Sequence, residues 1–238
     1  MILALIQTTL RETLRRSLPW AILAATLLLA AASRALLPPS FASGEQEIQS
    51  VAVSAVLLAG LASALLLGTP LVVRDLERGT LTLILAKPAG PAAYLVGRTL
   101  GLFASCVAVS AAVAILLPPL FSWIGTVPIA SVITRGYISG CAVSILIASV
   151  ASAAAIAASC VGSRSAAPIL VLILALVGNA GLPEPIATLL PDFRLFGLAS
   201  RQAGTLALLA VYSCVFSSLF LILAYIVLSV RPPMRGQG

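Results

Sequence analysis

Six long apolar runs separated by short polar segments constrain this chain more than any other feature of its sequence. A helix needs about 20 mostly apolar residues to cross a bilayer. The sequence has 61% hydrophobic and 9% charged residues, whereas a soluble domain carries roughly a quarter charged residues. We therefore predict an all-α, polytopic membrane protein whose six transmembrane helices lie at residues 18–37, 49–73, 99–120, 136–161, 166–182 and 204–230.

The positive charges are divided unevenly between the two sides that these spans define. Cytoplasmic loops of membrane proteins are enriched in Lys and Arg, and with the N-terminus in the cytoplasm ten of the 14 such residues lie inside. The ten are Arg11, Arg15, Arg16, Arg74, Arg78, Lys87, Arg98, Arg164, Arg231 and Arg235, and outside remain Arg34, Arg135, Arg194 and Arg201. The pattern predicts a multi-pass protein of the inner (cytoplasmic) membrane with both termini inside, including the tail at residues 231–238.

The first 17 residues have the pattern of an amphipathic helix. At about 100° per residue, five apolar side chains share one arc and five polar ones share the opposite arc. The apolar set is Ile2, Leu3, Ile6, Leu10 and Leu14, and the polar set is Thr8, Arg11, Glu12, Arg15 and Arg16. Such a helix lies in the plane of the lipid headgroups. We expect it to anchor the first span, and a second interpretation is that it also contacts a cytoplasmic partner. For the first span the alternative is a cleaved signal peptide, but the polar lead before it is long and the apolar run is longer than a usual signal-peptide core.

The segment between the second and third runs, residues 74–98, mixes charged residues with leucines. Residues 74–78 can form a short helix that Gly79 stops, and Thr80 can cap a second turn that Pro88 ends. The segment is too apolar for a plain connector, because it contains Leu76, Leu81, Leu83 and Leu85. Leucines beside mixed charges suit docking into a groove of another protein. Resting on the membrane surface is an equally good interpretation of the same leucines.

This segment resembles the cytoplasmic loop of ABC-2 type transporter permeases. Those proteins typically have an acidic-x-Gly-Thr-Leu run, a leucine-rich stretch ending in proline, and a Tyr-Leu-x-Gly-Lys/Arg entry into the third span. The matching residues are Glu77-Arg78-Gly79-Thr80-Leu81, Leu85-Ala86-Lys87-Pro88 and Tyr94-Leu95-Val96-Gly97-Arg98. The N-terminal helix, the six spans and residues 190–196 also fit, so the resemblance covers essentially the whole chain.

The resemblance implies the permease subunit of an ABC transporter, an exporter without an ATPase site of its own. It implies a homo- or heterodimer of six-span subunits that binds two cytoplasmic ABC ATPase subunits, and those subunits hold the ATP and Mg. The ATPase-coupling residues would be Arg74, Asp75, Leu76, Glu77, Arg78, Gly79 and Thr80, and the elbow helix would contribute Arg11, Arg15 and Arg16. The external segment at residues 183–203 would form a shallow re-entrant pair that lines the exit, and an ordinary interfacial loop is the alternative interpretation.

The sequence lacks the common motifs of catalysis and metal binding. It has no histidine and no Walker A pattern, and its four cysteines lack CxxC spacing. We therefore predict no enzyme activity, metal or cofactor in this chain, and scattered arginines do not favour nucleic-acid binding. We expect the cysteines to be buried packing residues, and they are Cys106, Cys141, Cys160 and Cys214. The Ala/Ser-rich residues 149–159 suit close helix packing.

Three alternatives remain open from the residues alone. The haem-exporter B subunit of cytochrome c maturation is also six-spanned and ATPase-coupled. A membrane-embedded enzyme would need polar catalytic groups within its spans, where this chain has almost no ionisable residue. A non-transporting scaffold subunit agrees with the spans but leaves the segment at residues 74–98 unexplained. The apolar spans favour a lipid-linked, amphipathic or peptide cargo over small ions.

Overall fold

A computed structural model describes residues 2–36, 45–77, 90–125, 128–161, 168–169, 171–173 and 205–230 of the chain. Within these ranges the protein is all-helical and contains no strand. Its helices are α1 (Ile2–Leu14), α2 (Ser17–Leu36), α3 (Glu45–Glu77), α4 (Gly90–Gly125), α5 (Ile129–Val132), α6 (Arg135–Val161) and α7 (Thr205–Val230).

Four of these helices contain segments that are long and apolar enough to cross a membrane. The segments are Ile48–Asp75 in α3, Pro91–Ile124 in α4, Arg135–Val161 in α6 and Leu206–Val230 in α7. A fifth crossing is possible if α1 and the first part of α2, which are bent by 60° relative to each other, form one broken span. The chain is thus compatible with a multi-pass membrane protein. The predicted span at residues 166–182 lies mostly outside the described residues, as do the external segment at residues 183–203 and the C-terminal tail.

Helix α6 lies at the centre of the described bundle and packs against α3, α4 and α7. Two thirds of its most apolar window is buried, and its buried residues include most of the Ala/Ser-rich stretch at residues 149–159. Helix α3 approaches α6 closely because glycines of α3 face α6. A Cβ added to Gly60 would lie 3.3 Å from the Cβ of Ala148, and one added to Gly68 would lie 2.9 Å from that of Ala155. Small residues on both helices therefore set this interface.

Helix α7 is buried on one side only. Only 11% of its apolar window is buried, and Leu208, Val211 and Ile222 are among its exposed residues. A continuous apolar face of this kind would be unusual on a soluble monomer and suits contact with lipid.

Cys214 also lies on this exposed side of α7. The prediction that all four cysteines are buried is therefore wrong at Cys214 and holds fully only for Cys106 and Cys160, since Cys141 is half-buried.

The helices extend past several predicted boundaries. Helix α4 begins at Gly90 and continues through Pro118 and Pro119 to Gly125, whereas the sequence pattern placed the third span at residues 99–120 and its exit at the two prolines. Proline cannot donate to the carbonyl four residues earlier, and for Pro118 that carbonyl belongs to Ala114. The hydroxyl of Tyr137 on α6 donates to this oxygen at 2.7 Å, so a neighbouring helix satisfies the acceptor that the proline leaves free.

Residues 74–77 are helical, but they form the last turn of α3 and not a separate short helix. No glycine or proline separates Val73 from Glu77, so the hydrogen-bonded ladder of α3 continues into the charged residues. Pro70 lies inside the same helix and does not end it. The charged segment therefore starts on a rigid extension of the second apolar run.

Candidate functional site

A cluster of charged and hydroxyl-bearing side chains joins three helices where the described chain stops at Glu77 and resumes at Gly90. Helix α1 contributes Thr9 and Glu12, α3 contributes Asp75, and α4 contributes Tyr94 and Arg98. Residues 78–89, which connect α3 to α4 in sequence, lie outside the described residues. The cluster therefore holds both ends of the segment for which a coupling role was predicted.

The guanidinium of Arg98 is the centre of this cluster. Its Nη2 donates to Oδ2 of Asp75 at 2.6 Å, and its Nη1 donates to Oγ1 of Thr9 at 3.1 Å and to Oε2 of Glu12 at 3.4 Å. The hydroxyl of Tyr94 donates to the same oxygen of Asp75 at 2.6 Å. The Arg98 guanidinium carbon also lies 5.8 Å from the centre of the Tyr94 ring, within the range of a cation–π contact. One side chain thus bonds to two other helices.

The burial of these groups makes their pairing necessary. The side chains of Arg98 and Asp75 are 10% and 15% exposed, whereas Glu12 is 41% exposed. A charge removed from water is tolerated when an opposite charge and hydrogen bonds replace its hydration. Removing one partner of a buried pair costs about 3–5 kcal/mol because the other charge is left uncompensated. The Arg98–Asp75 pair is therefore the dominant electrostatic contact of the cluster, and Glu12 adds a weaker one at its rim.

Helix α1 sits directly against the backbone of α4. A Cβ added to Gly97 would lie 2.9 Å from the Cβ of Leu5, and one added to Gly101 would lie 2.6 Å from the Cβ of Thr9. One turn further along, the hydroxyls of Thr13 and Ser105 are 2.5 Å apart and fully buried. The spacing Gly97-x-x-x-Gly101-x-x-x-Ser105 therefore forms a groove of small residues on α4 that α1 occupies.

The buried face of α1 differs from the one that the amphipathic pattern suggests. The fully buried residues of this helix are Thr9 and Thr13, while Ile2 and Leu3 of the apolar arc are exposed. Both hydroxyls are hydrogen-bonded. The hydroxyl of Thr13 donates to the carbonyl of Thr9 within α1 at 2.9 Å, and the hydroxyl of Thr9 accepts from Arg98 on α4. The contact between α1 and α4 thus depends on hydroxyl groups and glycines, which hydrophobic periodicity does not detect.

The predicted coupling residues are only partly within the described chain. Asp75 belongs to the cluster, and Arg74 is half-buried one position before it. Leu76 and Glu77 lie in the last turn of α3, but their side chains lie outside the description, as do Arg78, Gly79 and Thr80 entirely. Of the elbow residues, Arg11 and Arg15 are exposed, and Arg16 forms an ion pair with Glu12.

Four members of the cluster were not assigned to a site from the sequence, and they are Thr9, Glu12, Tyr94 and Arg98. Tyr94 was noted as part of the entry motif of the third span, and Arg98 as part of that motif and as one of the positive charges on the cytoplasmic side. The available signal was an arginine at the start of an apolar run beside a tyrosine one turn earlier, because a charge at such a position needs a partner. The identity of that partner depends on how α1 and α3 pack, which the motif does not specify.

The cluster is arranged to hold helices together. Arg98 pairs with two anions of the cluster, Asp75 and Glu12, and Glu12 also pairs with Arg16 of its own helix. Among the residues that the structure describes, no group of three or more His, Cys, Asp or Glu side chains is placed to hold a metal ion.

No known protein-family model matches this sequence, and no curated protein sequence is similar enough to match it.

Proposed function

We propose that this chain is the transmembrane subunit of an ABC transporter, an exporter that a separate cytoplasmic ATPase drives. The proposal includes six spans with both termini in the cytoplasm, an N-terminal helix at the cytoplasmic membrane surface, and a dimeric assembly of two such subunits. In this account ATP binding brings the two ATPase subunits together, and the segment at residues 74–98 carries that movement to the spans.

One observation carries the proposal. The segment that resembles the coupling loop of ABC-2 permeases begins and ends on helices that the Arg98 cluster fixes to each other and to α1. A loop that transmits force needs both of its ends attached to rigid elements, since a mobile end would absorb the displacement. Helix α3 extends without a break from its apolar centre to Glu77. Displacement of residues 78–89 would therefore move whole helices.

The apolar character of the helices supports transport without chemistry in this chain. The candidate spanning segments are rich in Ala, Ser and Gly at their contacts, and close-packed small residues allow helices to shift between two packed arrangements. An amphipathic or lipid-linked cargo fits such a path better than a small ion, which needs polar lining.

Co-purification tests the proposed partner. The chain, extracted in mild detergent from its native membrane, should co-purify with an ATPase encoded beside it, and Glu77→Arg should weaken that association at least about tenfold, the loss expected for a buried charged contact. Glu47→Arg is the matched control, because it makes the same charge change at the other end of α3 and should leave the association unchanged. A chain that is stable but brings down no ATPase would favour the scaffold alternative and contradict the proposal.

A further inference from the structure

Arg98 connects two elements that are far apart in sequence, the end of α3 and the N-terminal helix α1. Its two terminal nitrogens point in different directions, one to Asp75 and the other to Thr9 and Glu12. We propose that Arg98 relays the position of the end of α3 to α1, so that Asp75 controls whether α1 stays docked on α4 or is released from it. Arg98 is thus a positioning residue that acts through its contacts with α1.

Helix α1 has the attachments of a movable element. It packs mainly against α4, with a minor contact to α2. Its hydrogen-bonded turns end at Arg15 and Arg16, which donate to the carbonyls of Arg11 and Thr13, and the two helices α1 and α2 on either side are bent by 60°. Its outer side is open, and Leu3 is 80% exposed. Rotation about the turn at Arg15 and Arg16 would therefore lift α1 away from α4 without disturbing the central helices.

The contact between α1 and α4 contains hydrogen bonds that form only when α1 is docked. Thr9, Thr13 and Ser105 are fully buried, and Arg98 is buried as well. The glycines at 97 and 101 let the two backbones come together, but the hydroxyls and the guanidinium must then bond across the seam. Partial separation would leave these groups unpaired, which is unfavourable. Docked and released positions of α1 are therefore distinct states with little between them.

The planar guanidinium explains how α3 influences this seam. Because its donors have a fixed geometry, anchoring Nη2 on Asp75 also sets the direction of Nη1. When the end of α3 moves, or when Asp75 loses its charge, Nη1 no longer faces Thr9 and Glu12. A lysine at this position carries the same charge, but its three donors sit on one nitrogen at the end of a flexible stem. It therefore cannot hold Asp75 and α1 in the same fixed geometry.

The use of this relay rests on the proposed function, because only there does a partner push on the segment that follows α3. The relay itself is a property of the chain alone and needs no partner to be measured. An experiment on the isolated protein in lipid nanodiscs therefore separates failure of the relay from failure of the permease proposal.

The experiment measures how fast a maleimide reacts with a single thiol introduced at position 13. The four native cysteines are replaced by alanine, and Thr13→Cys places the thiol at a fully buried position, so reaction reports the released fraction of α1. Arg98→Lys and Asp75→Asn should each accelerate the reaction about tenfold, the effect expected when a hydrogen bond to a charged group is lost. Arg74→Lys, one position before Asp75, should change the rate by less than about twofold.

Combining the variants tests the relay directly. If Asp75 acts through Arg98, the double variant of Asp75→Asn and Arg98→Lys should react no faster than Arg98→Lys alone. Thr9→Val leaves every charge in place and should also accelerate the reaction. An unchanged rate for Asp75→Asn, or a rate in the double variant equal to the product of the two single effects, would overturn the relay.

A second thiol distinguishes release of α1 from loosening of the whole fold. A matched protein keeps Thr13 and only the native Cys160, which is fully buried on α6. The Cys160 thiol should remain unreactive in the Asp75→Asn, Arg98→Lys and Thr9→Val variants, while the thiol introduced by Thr13→Cys reacts faster in each of them. Equal acceleration at both positions would show general opening and would contradict a role specific to α1.

Discussion

Pro118 and Tyr137 show how one residue of this chain corrects a defect that another residue creates on a neighbouring helix. Proline removes the donor that Ala114 would use as its helical partner, and Tyr137, which is 5% exposed, supplies a hydroxyl in its place. In a membrane an unpaired carbonyl has no water to bond with. The pair therefore satisfies the acceptor freed by Pro118, within a helix that continues to Gly125.

Tyr137→Phe should destabilise the protein by about 1 kcal/mol, because the carbonyl of Ala114 loses its donor. The change keeps the ring, so packing should be preserved. Thermal unfolding in detergent measures the loss. In a Pro118→Ala background, where a backbone N–H returns to the same carbonyl, Tyr137→Phe should cost clearly less. Equal costs in both backgrounds would show that the hydroxyl does not serve the proline site.

Single residues of the site were predictable only in part. Asp75 was included because residues 74–80 belong to the segment that resembles the ABC-2 coupling loop, and the role expected for it was ATPase coupling and not pairing with Arg98. The roles of Arg98 and Thr9 were not predicted because each depends on a distant partner. Arg98 lies 23 positions from Asp75, and Thr9 lies 89 positions from Arg98. Local patterns report what a residue does within its own helix, whereas a buried ion pair is decided by which helices meet.

At the scale of helices, glycine determines which pairs come together. Gly68 on α3 faces both α4 and α6, because a Cβ there would lie 2.7 Å from Leu102 and 2.9 Å from Ala155. The leucine side chain can rotate, but the Cβ of Ala155 belongs to a helix whose position is fixed by its other neighbours. The position therefore tolerates no larger side chain without movement of α3 relative to α6.

Gly68→Ala should destabilise the fold by about 1–3 kcal/mol, the usual cost of overpacking a close contact. Gly136→Ala is the matched control, because an added Cβ there meets its nearest atom at an ordinary 3.5 Å. Apparent melting temperatures of the two variants in the same detergent provide the comparison. A Gly68→Ala protein as stable as the Gly136→Ala protein would show that the α3–α6 contact is looser than the structure indicates.

The sequence predicted which segments are helical better than it predicted where each helix begins and ends. The fourth and sixth apolar runs, at residues 136–161 and 204–230, nearly coincide with α6 and α7, since glycine, proline or arginine flanks them closely. The predicted second and third spans are shorter than helices α3 and α4, because hydropathy falls at Arg74 and Arg98 while helical hydrogen bonding continues. Charge marks where a membrane span is expected to end, but it does not stop a helix.

At the scale of the whole molecule, the described chain divides into an apolar bundle centred on α6 and a polar junction at one end. The junction gathers α1, the end of α3 and the start of α4 around Arg98. Composition and charge bias predict the bundle, and a short loop motif points to the junction. The geometry of the junction required the packing of three helices, which no local pattern contains.

The central claim is that the segment following α3 contacts an ATPase, and site-specific photocrosslinking in native membranes tests it most directly. A photoreactive residue at Glu77, at the end of α3, should form an adduct with a cytoplasmic protein that carries a Walker A motif. The same residue at Trp123, which is 85% exposed near the other end of α4, should not. Absence of an adduct at position 77, or an adduct only with proteins that lack a nucleotide-binding motif, would contradict the account.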